Sequence, residues 1–324
     1  MSISIDVFNG DADGLCALHQ LRLSDPRDSV LVTGVKRDIA LVARVASQAD
    51  LSAGDELTVL DISFDKNRDA LLPLLEQGIS TRYFDHHYPG DIPDHPGLTT
   101  YIDTDPEACT GLIVDAHLGG AHRAWAVTAA FGDNLVHTAT AAAEPLGLDA
   151  ERLGTLRTLG TLLNYNGYGA TLDDLFFSPA ALYARIKPYT DPFAFVAEDD
   201  AFATLDTGYR EDMARAEAVT PERSDAHTAM YLFPDDPYAR RVGGVYANEL
   251  AQRHPERAHA LLTANRDGDY VVSVRAPLSN RRGADELCRQ FESGGGREAA
   301  AGINRLPPSE LERFAEALAA QYAR

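Results

Sequence analysis

The pattern of apolar and polar positions changes along the chain and gives a first outline of the fold. In the first third, short apolar runs rich in β-branched residues alternate with amphipathic segments of helical period. This alternation predicts an α/β fold, with a mainly parallel sheet covered by helices. The predicted strands are residues 2–8, 29–35, 56–60, 80–84 and 99–102, and the predicted helices are 13–23, 39–47 and 67–77.

Two later stretches have other patterns. Residues 110–185 are rich in Ala and Leu and are predicted to be helical. The C-terminal part mixes a hairpin at 259–263 and 269–275, a strand at 302–305, and helices at 284–291 and 309–322. An acidic, Pro-containing segment separates the two parts. We therefore predict a mainly parallel α/β domain at 1–190, a linker at 191–225, and a smaller mixed α/β domain at 226–324.

Charge and composition narrow the class of protein. The 324 residues carry a formal net charge of −20, whereas proteins that grip long nucleic acids usually show a basic footprint. The acidity favours a small anionic substrate, and its simplest explanation is solubility or a saline or alkaline habitat. No apolar run is long enough to span a membrane, and no signal-peptide core is evident. Three scattered cysteines fit reduced thiols, so we expect a cytoplasmic protein.

Polar residues, mainly Asp and His, follow the predicted strands at the points where these end. They are Asn9, Asp11 and Asp13 after the first strand, Asp61 after the third, and Asp85, His86 and His87 after the fourth. The carboxyl ends of parallel strands form one ligand crevice, so we expect these side chains to converge. Clustered carboxylates repel one another unless a cation or a proton is present. Carboxylate with imidazole suits Mn²⁺, Zn²⁺ or iron better than Mg²⁺, and Mn²⁺ is the ion we expect.

Four of these segments, in order, resemble the motifs of the DHH phosphoesterases. They are residues 9–14 (NGDADG), 60–61 (LD), 84–87 (FDHH) and 131–134 (FGDN). The family includes RecJ exonuclease, nanoRNase/pAp phosphatases and cyclic dinucleotide phosphodiesterases. Residues 294–302 (GGGREAAAG) are similar to the glycine-rich motif of the family's C-terminal substrate-binding domain. The resemblance spans most of the chain and implies a catalytic metal-binding domain at 1–190 and a DHH-associated substrate-binding domain at 226–324.

The resemblance also implies a dinuclear metal site. One ion would be held by Asp13, Asp61, His86 and Asp133. A second ion would be held by Asp11 and Asp61, with Asp61 as the bridge and Asn9 as a neutral ligand. Water between the ions would attack phosphorus, His87 would face the substrate phosphate, and Asp85 would orient the His86 ring.

Three positions depart from the family pattern. Many members have His where this chain has Val7, and RecJ-like members have Asp where it has Asn9. We therefore expect the Asp11 ion to be bound weakly. The glycine motif usually continues with His, where this chain has Arg297. A guanidinium can hold a phosphate by two parallel hydrogen bonds.

Substrate binding is predicted to involve the second domain. Backbone amides of Gly294, Gly295 and Gly296 are expected to approach a substrate phosphate, the alternative being a flexible turn. Ser273 and Arg275, at the end of the preceding strand, could share that phosphate or have ordinary edge-strand roles.

Other polar positions have plainer explanations. Lys36 and Arg37 are best explained as a solvated helix start, and Thr110 as a helix cap. Residues 164–169 (NYNGYG) fit either a tight loop or an aromatic lid.

Three functions are compatible with this reasoning. The first is a phosphoesterase acting on small nucleotides, such as short oligonucleotides, pAp-like bisphosphorylated nucleotides or cyclic dinucleotides. The second is a degenerate family member that binds a nucleotide as a regulator without turnover. The third, an exonuclease on long polymers, is disfavoured by length and charge. We expect no long nucleic acid and no membrane as partner, and a homodimer is left open.

Overall fold

A computed structural model describes residues 2–45 and 51–323, which form two compact units, one up to Thr207 and the other from Gly208. The predicted linker, residues 191–225, contains two helices, and the boundary between the units lies inside the second. Among the described residues, no helix is long and apolar enough to cross a membrane.

The first unit is built on a five-stranded sheet in which every pairing is parallel. Its strands, in the spatial order β2-β1-β3-β4-β5, confirm the predicted α/β class. They are β1 (Ser4–Phe8), β2 (Ser29–Thr33), β3 (Glu56–Leu60), β4 (Ser80–Asp85) and β5 (Leu98–Ile102). The central strands are buried on both faces, as expected for continuous apolar runs in a parallel sheet.

Helices account for most of the rest of the first unit. They are α1 (Ala12–Ser24), α2 (Phe64–Glu76), α3 (Thr110–His117), α4 (Arg123–Gly132), α5 (Val136–Ala143), α6 (Ala150–Gly167), α7 (Pro179–Ile186) and α8 (Pro192–Glu198), followed by α9 (Asp200–Glu217), which crosses the unit boundary. The helical character predicted for 110–185 is confirmed.

The helix predicted at 39–47 can be compared only in part. Residues 39–41 are not helical, Val42–Arg44 form a 3-10 turn, Val45 is helical, and residues 46 and 47 lie outside the described residues. Leu41, Val42 and Val45 are buried against the sheet. The predicted helix therefore starts too early in the sequence, because residues 39–44 pack as an irregular segment and a 3-10 turn.

The second unit contains a six-stranded sheet in the order β10-β11-β9-β8-β7-β6, antiparallel except for the parallel pair of β7 and β8. The elements are β6 (Arg223–Ser224), β7 (Thr228–Phe233), α10 (Pro237–Arg253), β8 (Ala258–Ala264), β9 (Tyr270–Arg275), α11 (Ala284–Cys288), β10 (Gly294–Arg297), β11 (Ala300–Leu306) and α12 (Leu311–Tyr322). The predicted hairpin is confirmed as β8 and β9.

The glycine run is not a loop, because it forms the edge strand β10. Two of its glycines are required by packing. A Cβ on Gly294 would lie 1.7 Å from the carbonyl oxygen of Cys288, and Gly296 has a φ of +139° with Ala301 Cα 2.5 Å from a built Cβ. Gly295 has open space where a Cβ would stand.

Candidate metal centre

The sheet register brings the predicted site residues side by side. Phe8 of β1 pairs with Leu60 of β3, and Leu60 pairs with Phe84 of β4. The chain therefore leaves the three strands at the same level, at Asn9, Asp61 and Asp85. This alignment is the reason that residues more than seventy positions apart in sequence share one crevice.

Asp11 and Asp13 sit at the start of α1, and each carboxylate receives backbone N–H groups. Asp11 is the N-cap, and its Oδ1 accepts from the amides of Asp13 and Gly14, both at 3.1 Å. Asp13 caps the N-terminus of α3 instead, accepting from Thr110 N at 2.7 Å and Gly111 N at 2.6 Å. Thr110 was predicted to be the cap of its own helix, which is wrong, since Cys109 is the N-cap residue and makes no side-chain cap bond.

Asp61 has a left-handed backbone, with φ +58°, which non-glycine residues rarely adopt. Its amide donates to the carbonyl of Phe84 at 3.0 Å, and its Oδ1 accepts from Thr110 Oγ1 at 3.3 Å. Burial, followed by the negative charges of Asp13, Asp11 and Asp133, raises the pKa of this carboxyl well above its usual value. Asp61 therefore carries both backbone and electrostatic strain in the absence of a cation.

His86 presents one ring nitrogen to the carboxylates. Its Nδ1 lies 2.9 Å from the carbonyl oxygen of Ala108, which selects the tautomer protonated at Nδ1. Nε2 then faces Asp61 Oδ1 at 3.4 Å and Asp133 Oδ2 at 3.6 Å with its lone pair. A ring held at one nitrogen by a backbone carbonyl, with the other nitrogen open to carboxylates, is the usual posture of a metal-binding histidine.

Asp133 follows α4 and completes the cluster. Burial raises its pKa to about 6; the charge of Lys36 opposes this shift, and those of Asp13 and Asp11 add to it. Ligand atoms of Asp13, His86 and Asp133 lie within 4.8 Å of one another, and so do those of Asp61, His86 and His87. Asn9 adds a buried Oδ1 with no hydrogen-bond partner. Carboxylates that resist ionisation beside an oriented imidazole and an unpaired amide oxygen fit a divalent cation.

Asp85 does not orient His86, contrary to the prediction from the resemblance. Its Oδ1 contacts His87 Nδ1 at 2.7 Å, and its Oδ2 accepts from the amide of Phe64 at 3.3 Å. Burial works against a charged His87, but the Asp85 hydrogen bond and charge outweigh it and raise the pKa of the imidazole. The Nδ1 atoms of the adjacent histidines thus have different hydrogen-bond partners: a backbone carbonyl for His86 and a carboxylate for His87.

Lys36 was predicted to be solvated, and this is wrong. Its ammonium lies 2.5 Å from Asp11 Oδ2, 2.8 Å from Asn164 Oδ1 and 3.5 Å from Asp133 Oδ1. Two signals pointed to it: it follows the carboxyl end of β2, and it is one of only three lysines in the chain.

The segment 164–169 was predicted to be a tight loop or a lid. Its first four residues, 164–167, are instead the last turn of α6. Asn164 in that turn supplies the oxygen that faces Lys36.

The substrate-binding residues predicted from the sequence lie in the second unit. Arg275 Nε donates to Asn248 Oδ1 at 2.6 Å, and its Nη1 donates to the carbonyl of Val274 at 3.1 Å. Ser273 is in the middle of its sheet, paired with Leu261 and Gly302. Arg297 ends the edge strand β10 and is exposed. Their roles stay predictions.

Solved structures with the same architecture include two of RecJ. Exonuclease RecJ bound to manganese matches with a TM-score of 0.62 and 18% identity, over 99% of this chain and 90% of that one. RecJ from Thermus thermophilus, in complex with Mn²⁺, matches with 0.58 and 18%, over 99% and 52%. The fold is that of RecJ.

A pGpG-specific phosphodiesterase, PggH from Vibrio cholerae, also matches, with a TM-score of 0.55 and 14% identity over 99% of this chain and 98% of that one. No model of a known protein family matches the sequence, and no curated protein matches it. At these identities the likeness to RecJ and PggH establishes the fold, and it confirms the fold expected from the DHH resemblance.

Proposed function

We propose that the chain is a DHH-type phosphoesterase that uses a divalent metal ion, Mn²⁺ in the first instance, to hydrolyse phosphoesters of small nucleotides. One observation carries the proposal: Asp13, Asp61, His86 and Asp133 converge at the carboxyl edge of the sheet, with Asp61 and Asp133 held away from their ordinary ionisation. The two RecJ structures that share this fold both contain manganese, and this supports the choice of ion.

The residues of the cluster would divide the work between metal binding and substrate binding. A bound divalent ion supplies an acidified water and neutralises charge on the phosphoryl group. Asp13, Asp61, His86 and Asp133 would hold the ion, and the Ala108 carbonyl engages Nδ1 of His86 so that Nε2 would be available to bind it. His87, whose pKa is raised by the hydrogen bond and charge of Asp85, would donate to a phosphoryl oxygen from its partly exposed position.

The substrate class follows from charge and from one of the neighbours. A net charge of −20 repels a phosphate polymer at long range. PggH is described as specific for pGpG, which is a short linear dinucleotide. We therefore place short linear dinucleotides first, ahead of pAp-like and cyclic nucleotides, and assign Arg297 and the β10 edge to phosphate binding in the second unit.

The test is hydrolysis of pGpG, pApA, pAp and a cyclic dinucleotide beside a long single-stranded DNA, each with Mn²⁺ and with chelator. We expect turnover of the short substrates only with metal. His86→Asn should lower kcat by about a hundredfold or more, since metal electrostatics contribute several kcal/mol. His137→Asn, on the exposed side of α5, is the matched control and should leave kcat unchanged.

Two results would contradict the proposal. Hydrolysis that persists in chelator would exclude the metal, and equal kcat in the His86 and His137 variants would exclude the assigned site. Tight nucleotide binding without turnover under every metal condition would instead support a regulatory protein. That second candidate is favoured by one observation, which is the contact of the Asp11 carboxylate with a lysine.

A further inference from the structure

The backbone of Lys36 is fixed where its chain leaves β2. Its amide donates to the carbonyl of Gly167, the last residue of α6, at 2.8 Å. Its carbonyl accepts from Asn9 Nδ2 at 3.3 Å. Lys36 is therefore anchored on both sides, to the end of a helix and to the residue that follows β1.

The ammonium of Lys36 is surrounded by oxygen. Asp11 Oδ2, Asn164 Oδ1 and Asp133 Oδ1 lie at 2.5, 2.8 and 3.5 Å, which matches the three N–H donors of an ammonium. The Tyr168 ring centroid lies 5.5 Å away, within cation–π range. The lysine side chain is 24% exposed and that of Asp11 is 2% exposed. This is a largely enclosed contact, unlike a solvated surface ion pair.

Both oxygens of Asp11 are already engaged. Oδ1 accepts the two amides at the start of α1, and Oδ2 contacts Lys36. The side-chain amide nitrogen of the neighbouring Asn9 donates a hydrogen bond to the Lys36 carbonyl. By contrast, His86 Nε2 faces Asp61 Oδ1 and Asp133 Oδ2, and Lys36 contacts only the other oxygen of Asp133, Oδ1, at 3.5 Å. The cluster thus has one position filled by the chain's own cation and one suited to an ion.

We propose that the Lys36 ammonium is a built-in cation that takes the place of a second metal ion beside Asp11, so that the site binds one divalent ion per chain. This inference rests on the proposed function, because it assumes that the Asp13, Asp61, His86 and Asp133 set binds an ion. It replaces the weakly bound second ion expected from the resemblance with a side chain. Lys36 then neutralises the charge of the Asp11 carboxylate.

The experiment counts ions without using activity. The intact chain is equilibrated with Mn²⁺, and bound metal is measured by elemental analysis and by electron paramagnetic resonance, which detects coupling between two nearby Mn²⁺ ions. We expect one uncoupled Mn²⁺ per chain in the wild type. Lys36→Met keeps most of the length of the side chain, removes its charge, and should raise the count toward two with a coupled signal.

The chain offers complete controls, because its other lysines are Lys66 and Lys187. Both are more than half exposed and are paired with acidic residues outside the cluster. Lys66→Met and Lys187→Met should keep one ion. Lys36→Arg retains the charge and should also keep one, which covers the case in which the methionine variant does not fold.

The outcomes separate this inference from the proposed function. Two coupled ions in the wild type, or a single ion in a folded Lys36→Met variant, would overturn the role of Lys36 and leave the metal-dependent function standing. No Mn²⁺ bound in the wild type would overturn the proposed function and the inference with it.

Discussion

Asp61 combines an unfavourable backbone conformation with a central position in the proposed metal site. Its φ of +58° lies in the left-handed region, which costs a non-glycine residue of the order of 1 kcal/mol. Its carboxyl is 2% exposed and stands among other carboxylates. The backbone cost is the same with or without a metal ion, whereas the buried charge among other carboxylates destabilises the fold when no cation is bound.

Asp61→Asn should therefore stabilise the metal-free protein while weakening its response to metal. Asn accepts the left-handed backbone and carries no charge. A gain on the order of 1 kcal/mol, or about 2–4 °C in Tm for a unit of this size, is expected at neutral pH. Thermal melting with and without Mn²⁺ measures both effects, and Asp69→Asn, at an exposed position on α2, is the control.

The sign of the pH dependence adds a second check. A carboxyl whose folded pKa is raised contributes stability below its unfolded value of 3.8, and this is lost as pH rises toward the folded value. The advantage of Asp61→Asn should accordingly be present at neutral pH, shrink as the pH falls toward 3.8, and be absent below it. A variant that is less stable than wild type at pH 7 without metal, or that keeps the full Mn²⁺-induced shift, would contradict this account.

At the scale of elements, the sequence predicts the helices and strands whose positions depend on the local pattern of apolar and polar residues. The five strands of the first unit have continuous apolar runs because both faces of a parallel sheet are covered. Asp61 and His86 are therefore placed correctly by the rule that ligands collect at strand ends. The partners of Lys36 and the role of the Ala108 carbonyl were not predicted, because they are provided by residues distant in sequence. The glycine run is a strand because it pairs with β11. Its composition does not predict this, since glycine is depleted in strands.

Close helix packing holds the two halves of the cluster together. A Cβ on Gly132, at the end of α4, would lie 2.3 Å from Ala12 Cβ on α1. A Cβ on Gly160 of α6 would lie 2.3 Å from the Thr128 carbonyl on α4. These small residues let α1, α4 and α6 approach closely, and so fix Asp133 beside Asp13.

Gly160→Ala should separate α6 from α4, whereas Gly154→Ala on the same helix should not. We expect Gly160→Ala to cost about 1–3 kcal/mol through overpacking and to weaken Mn²⁺ binding by moving Asp133. Gly154 is exposed with nothing within 4 Å of a built Cβ, so alanine there should gain about 0.5–1 kcal/mol from helix propensity. Chemical denaturation and Mn²⁺ titration of both variants give the comparison, and equal effects would show that the close approach is unimportant.

At the scale of the whole molecule, the acidic excess sets the response to salt. A net charge of −20 makes the compact state repel itself, and added salt shortens the range of that repulsion.

Raising KCl from about 0.01 M to about 1 M, which shortens the Debye length from roughly 30 to 3 Å, should raise the Tm of the metal-free protein by several degrees. Glycerol at matched osmolality is the control for non-ionic effects. A Tm that falls with KCl would mean that attractive ion pairs outweigh the net repulsion.

The left-handed backbone at Asp61 also constrains how this protein can change in evolution. Glycine, asparagine and aspartate are the residues that tolerate such a φ as single positions. Under the proposed function, a descendant released from selection for metal binding would drift to Asn or Gly at this position, because Ala, Val or Glu would strain the turn after β3. Among relatives, Asn or Gly at this position would indicate that the fold has been kept without the metal ligand. A β-branched residue there would indicate that the turn after β3 has a different backbone conformation.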